Sequence, residues 1–204
     1  VAASGPTGGR AGRDAGGNVA AVSRQIQLTL ASTFPRRAAP GRSILQPSVT
    51  RTRVRPGDLD FYLHVNNGVY LQMMDIARSN LLADLGAFAL LRRHGWYPVV
   101  AASTMTYRRS LRLGDPVEIT TRVLGWDPRV VYLEQTFHSR DRLAARGVVA
   151  GRFLSRSGAR VPATDVATLL GAGPSSPELP DDVAAWAAAL DVAHRDQPAG
   201  ARRP

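Results

Sequence analysis

Along residues 1–19 the chain is mostly Gly, Ala, Ser and Arg, with almost nothing to bury, so this stretch is expected to be disordered. Residues 20–34 space Ile26, Leu28, Leu30 and Phe34 among polar positions and predict a short amphipathic helix. The segment bears Arg and lacks acids, as organelle transit peptides do, but a plain N-terminal extension is the simpler expectation. A Pro/Arg/Gly linker then runs from 35 to Pro47.

The pattern sharpens from Ser48. Residues 49–55 alternate as in a first strand, and Pro56-Gly57-Asp58 turns the chain. Asn66 or Asn67 can cap a helix. Tyr70, Met73, Met74, Ala77, Leu81, Leu85 and Phe88 recur mostly at steps of three and four, which predicts one long helix with a single buried stripe. Gly95 and Pro98 end the helical region. Strand-like runs follow at 99–109, 117–123, 131–137 and 146–156, with Asp127-Pro128-Arg129 as a hairpin turn. Ala184 to Leu190 suggests a further helix before a disordered end. The order predicts an α+β fold, one helix packed against one antiparallel sheet. The expected organisation is an extension over 1–47, a domain over 48–160 and a helical tail over 161–204.

Composition narrows the function classes. The chain has 204 residues and 44% hydrophobic positions, enough for one domain with a real core. No run of eighteen apolar residues occurs, so no membrane span is expected. With no cysteine, thiolate nucleophiles, disulfides and cysteine-ligated zinc are excluded, which fits a cytoplasmic protein. The histidines lack metal-ligand spacing, and no serine elbow, phosphate loop or dinucleotide fingerprint is present, so no cofactor is expected. Formal charge is +10, and all 26 basic residues are arginine. The excess concentrates in residues 48–156, at +7, which favours an anionic partner such as phosphate or coenzyme A. With 6% aromatics and no RNA or DNA motif, nucleic acid is not the expected partner.

The chemistry concentrates in residues 55–70, where Asp58, Asp60, His64, Asn66 and Asn67 precede the helix. A helix start offers unpaired N–H donors and a partial positive charge. Three pieces carry a family resemblance: Gly57-Asp58-Leu59-Asp60 with His64-Val65-Asn66-Asn67 and Tyr70; Gly95-Trp96-Tyr97-Pro98 leading to Tyr107-Arg108-Arg109-Ser110-Leu111; and Leu124-Gly125-Trp126-Asp127 with Tyr132-Leu133-Glu134-Gln135. Together they resemble the hot-dog fold, in its 4-hydroxybenzoyl-CoA thioesterase-like branch, over roughly residues 48–160. The resemblance implies an antiparallel sheet wrapped around one long central helix. It also implies an acyl-CoA or acyl-carrier-protein thioester as substrate, and a homodimer or homotetramer with the site at the interface.

It further implies that Asp60 is the catalytic carboxylate, as general base or nucleophile, with His64 and Asn67 beside it. Asp58 belongs to the turn. A thioester carbonyl needs a carboxylate near its carbon and donors at its oxygen. The backbone around Asn67, Gly68 and Val69 is the candidate donor set, and Asn66 and Tyr70 are further candidate substrate-binding residues. Arg108, Arg109 and Arg112 are candidate grips for coenzyme A phosphates. Plant acyl-carrier-protein thioesterases of this fold carry an Asn where Tyr62 stands, so a three-residue Asp-Asn-His machinery is not expected. The Asp60-to-His64 spacing also departs from the hydratase branch. The rival reading is a hot-dog protein that binds acyl thioesters without turning them over.

Overall fold

The computed structural model describes residues 24–173 and 175–190. Helix α1 (Arg24–Thr33) leads to strand β1 (Ser48–Arg53), a single 3-10 turn (Pro56–Asp58) and the central helix α2 (Asn67–Asp84). Then come α3 (Ala87–His94), β2 (Trp96–Tyr107), β3 (Pro116–Trp126), β4 (Val131–Ser139) and β5 (Arg142–Ser155). A short β6 (Arg160–Val161), α4 (Ala163–Leu169) and α5 (Asp181–Leu190) complete the described chain. The six strands form one antiparallel sheet in the order β1-β3-β4-β5-β2, with β6 paired to β5.

The predicted stripe of α2 is the core. Met73, Met74 and Ala77 are at most 1% exposed, and they pack with Val117, Ile119, Phe137, Ala145 and Val149 of the sheet. Burying each Met side chain contributes about 1.5–3 kcal/mol. Gly147 on β5 makes the close approach possible, since a Cβ there would lie 2.5 Å from Met74 Cε and 2.6 Å from Met105 Sδ. Polar groups on the same contact are satisfied. Fully buried Gln135 donates from Nε2 to the Met74 carbonyl and Thr121 Oγ1, both at 3.0 Å, while its Oε1 accepts from Arg78 at 2.7 Å.

The long helix expected through Phe88 is two helices. The apolar spacing continues, but Gly86 adopts φ 63° and breaks the chain after Leu85. α3 then buries its own Ala87 and Leu91. β2 begins before Pro98 rather than after it. Proline is tolerated there because, among the described residues, β2 is an edge strand paired with β5 alone. The C-terminal α5 was expected as a helix. Its Val183 is buried in a second cluster with Leu124, Val130, Tyr132 and Val148, and Trp186 packs against that cluster.

Candidate active site

The segment 58–66 closes on itself as a ladder. Asn66 N–H donates to the Asp58 carbonyl (2.9 Å), Leu59 bridges Val65, and Asp60 N–H donates to the His64 carbonyl (2.8 Å). At the tip Leu63 sits at φ 59°, held by its own N–H to the Asp60 carbonyl (3.0 Å). A left-handed Leu costs on the order of 1 kcal/mol, so the surrounding hydrogen bonds must impose it.

Asp60 is fixed by this tip. Its Oδ1 accepts from the N–H groups of Tyr62 (2.9 Å) and His64 (3.3 Å). Its Oδ2 has no hydrogen-bond partner among the described residues. Asp60, His64, Asn67, Tyr70, Tyr107, Arg108, Arg109 and Ser110 line one cleft of about 300 Å³. The expected pair Asp60 and His64 therefore shares a cavity with Asn67, Tyr70, Arg108 and Arg109. Tyr62 is 77% exposed and its ring meets the Phe61 ring edge-on (6.0 Å), while among the described residues no side-chain hydrogen bond runs from it to Asp60.

The helix start is more committed than the sequence suggests. Asn66 is the N-cap, and its Oδ1 accepts from Gly68 N–H at 2.8 Å. The Val69 N–H donates to the Asn66 carbonyl at 2.9 Å, and the Val69 side chain is buried. Gly68 and Val69, expected as oxyanion donors, thus spend their N–H groups on the cap. Among the described residues the Asn67 N–H has no acceptor, which leaves it as the donor that points outward. Tyr70 is a wall of the cleft, 2% exposed, with its ring against Tyr107 (5.1 Å) and Phe137 (5.3 Å). Burial pushes its phenol up to about 12, so it stays protonated at neutral pH.

The arginines divide. Both Arg108 and Arg109 donate their N–H groups to the Ala144 carbonyl (2.7 and 3.0 Å), which fixes the backbone at the end of β2 beside the cleft. A neighbouring groove joins them to Thr106, Tyr107, Leu143 and Arg142. Arg142 leaves no local signal in the sequence because it lies 33 residues beyond Arg109; the Tyr107↔Ala145 register brings it near. Arg112, expected with this group, lines neither. Its N–H donates to Asp115 Oδ2 (2.9 Å) in a turn beyond buried Leu111, and that turn carries it away.

Asp58 is not catalytic in this geometry. It is 3% exposed and its carboxylate is taken by Arg24 of α1 at 2.6 Å. Further along α2 lies a second, apolar cavity of about 360 Å³, lined by Leu81, Leu82, Leu85, Val99, Val100, Val123, Leu133, Phe153 and others. Its polar corner is Asp75, Arg78 and Ser79. Burial lowers the Arg78 guanidinium from its ordinary value, and the neighbouring Asp75 opposes that shift. Among the described residues no His, Asp and Glu cluster could hold a metal, and no helix is long and apolar enough to cross a membrane.

Residues 54–187 match the thioesterase-like superfamily. The chain belongs to that superfamily. Among relatives, protein THEM6 of Danio rerio is 41% identical over 102 residues, half of this chain and half of the relative. The long-chain acyl-CoA thioesterase FadM of Escherichia coli is 35% identical over 74 residues, 36% of this chain and 56% of the relative. The chain thus spans about half the length of these two relatives. The YbaW probable thioesterase of Escherichia coli superposes with a TM-score of 0.57 at 23% identity, over 60% of this chain and 95% of that one. At that identity the superposition establishes the fold alone. The thioesterase-like fold is the hot-dog arrangement expected from the motifs, a curled antiparallel sheet around α2.

Proposed function

We propose that this thioesterase-like protein hydrolyses acyl thioesters, with acyl-CoA as the substrate class. One observation carries the reading: Asp60 has one carboxylate oxygen tied down and the other without a hydrogen-bond partner among the described residues, in a cleft that also holds the start of α2 and two arginines. In the proposed step Asp60 Oδ2 takes a proton from water as the water oxygen attacks the thioester carbonyl carbon. The carbonyl oxygen becomes an oxyanion held by the Asn67 N–H at the positive end of α2. Collapse expels the thiolate, which takes the proton back from Asp60. A base of this kind contributes about a hundredfold or more to turnover. Arg108, Arg109 and Arg142 suit the phosphates of coenzyme A, since guanidinium geometry matches phosphate oxygens. The name of the FadM relative supports a long-chain acyl-CoA as the first substrate to try.

The proposed assembly is a homodimer built through β2. This edge strand exposes Tyr97 (43%), Val100 (50%) and Tyr107 (43%), a surface that soluble chains cover. Two-fold pairing about the strand middle is antiparallel. It would set the Tyr107 end of one copy beside the 96–100 end of its partner. The polar cleft of one protomer would then adjoin the apolar cavity of the other, which suits a thioester with a hydrophobic tail. Light scattering should give at least a dimer at micromolar concentration, and a monomer would remove the shared cleft.

The test of activity is free-thiol release from a panel of acyl-CoAs of increasing chain length. Release from medium or long chains is expected. Saturable binding across the panel without thiol release would support the rival binder, for which the outward Tyr62 is the one favourable observation.

A further inference from the structure

We infer that α1, which lies upstream of the superfamily-matched residues 54–187, is part of the catalytic apparatus, with Arg24 as the positioning residue for the Asp60 loop. The inference rests on Asp60 as the reactive carboxylate. The Arg24 side chain is 3% exposed, and the Asp58 side chain it pairs with is 4% exposed. All five of its N–H donors are used. Nε reaches Asp58 Oδ1 (2.9 Å), and Nη2 reaches Asp58 Oδ2 (2.6 Å) and the Arg53 carbonyl (3.0 Å). Nη1 reaches Thr52 Oγ1 (2.8 Å) and Gln27 Oε1 (3.0 Å). One guanidinium therefore ties α1, the end of β1 and the turn into a single unit.

Asp58 passes that restraint on. Its Oδ2 also accepts from the Arg55 N–H (2.8 Å), which fixes the turn. Its main-chain carbonyl accepts from the N–H of Asn66, the residue that caps α2. Asp58 is thus the base of the loop whose tip holds Asp60, and Arg24 holds that base. The same N-terminal segment braces the other end of α2. Arg36 pairs with Asp84 (2.5 Å) and donates to Ser48 Oγ (2.8 Å) and the Val49 carbonyl (3.0 Å). The Ala39 N–H adds a bond to the Asp84 carbonyl (2.9 Å). A segment that looks dispensable by composition spans the helix on which the cleft is built.

The test compares the full chain with Arg24→Ala, Arg24→Lys and the double variant Arg24→Ala/Asp58→Asn. Hydrogen exchange by mass spectrometry and thiol-release kinetics are read on each. In Arg24→Ala the amides of residues 59–66 should exchange at least tenfold faster, while those of β3, β4 and β5 stay protected. Turnover should fall at least tenfold with KM within threefold. Arg24→Lys keeps the charge but loses the fork, so it should fall between. The double variant removes the orphaned carboxylate. Melting temperature should recover in it, but the fast loop exchange and low turnover should persist. Recovery of loop exchange and turnover in the double variant would overturn the positioning role in favour of simple charge burial. Unchanged loop exchange in Arg24→Ala would overturn it outright. If the wild-type chain releases no thiol from any acyl-CoA, the hydrolase reading falls, and exchange alone decides the Arg24 clamp.

Discussion

The two ends of α2 are built on opposite principles. At its N-terminus a set of polar side chains, Asp60, His64, Asn67, Arg108 and Arg109, is exposed or half-exposed around the cleft. Further along, Met73, Met74, Ala77 and Leu81 are almost wholly buried, and the neighbouring cavity is apolar. The contrast predicts where substitutions act. The buried stripe sets whether the helix sits on the sheet, and the polar end sets what the helix can do. Substitutions that separate stability from turnover test this division.

The largest effect on stability is expected at Gly147. Gly147→Val puts side-chain atoms where Met74 and Met105 already lie, and overpacking of this kind costs about 1–3 kcal/mol or more. Urea denaturation should show the loss, with the variant's remaining folded fraction turning over normally. Next is the cap. Asn66→Ala removes the acceptor for the Gly68 N–H and should cost about 1 kcal/mol by the same denaturation measurement. Because the cap also orients the outward Asn67 N–H, turnover should fall several-fold as well. Unaltered turnover would detach the cap from the proposed oxyanion donor. A smaller effect is expected at Arg142. Arg142→Gln should raise KM for a coenzyme A thioester about threefold at low salt and leave turnover alone, with the difference shrinking as salt screens the charge.

The smallest effect is a pH dependence. Burial raises the Tyr70 phenol from 10.0 to about 12 in the folded chain. Between those values the unfolded chain loses the proton while the folded chain keeps it. The stabilisation is therefore complete below pH 10 and is lost as pH rises towards 12. Tyr70→Phe should flatten the fall in stability over that window, read as the denaturation midpoint against pH.

Much of this architecture was legible because two periods dominate the chain. Alternation in 117–123 and 131–137 marks β3 and β4, and three-and-four spacing from Tyr70 marks α2. The motif around Asp60 pointed to the superfamily, and residues 54–187 belong to it. What escaped has physical reasons. Leu85 and Phe88 continue the apolar spacing across Gly86, so the break shows only in the backbone. α4 is seven residues long, with only Ala163, Val166 and Ala167 buried, too short to leave a period. Arg142 joins Arg108 through strand register, and Arg24 joins Asp58 across 34 residues, so neither contact leaves a local signal. The cap's claim on the Gly68 and Val69 donors was likewise invisible until Asn66, rather than Asn67, proved to be the N-cap.

The proposed chemistry stands on Asp60. The most direct measurement is steady-state thiol release from one long-chain acyl-CoA, run side by side on the wild-type chain and Asp60→Asn. The variant keeps the size of the side chain and an oxygen to accept the Tyr62 and His64 N–H groups, so its melting temperature should be close to wild type. Turnover should fall by about a hundredfold or more, the contribution of a general base. Equal rates from the two proteins would contradict the assignment and place the chemistry on another residue.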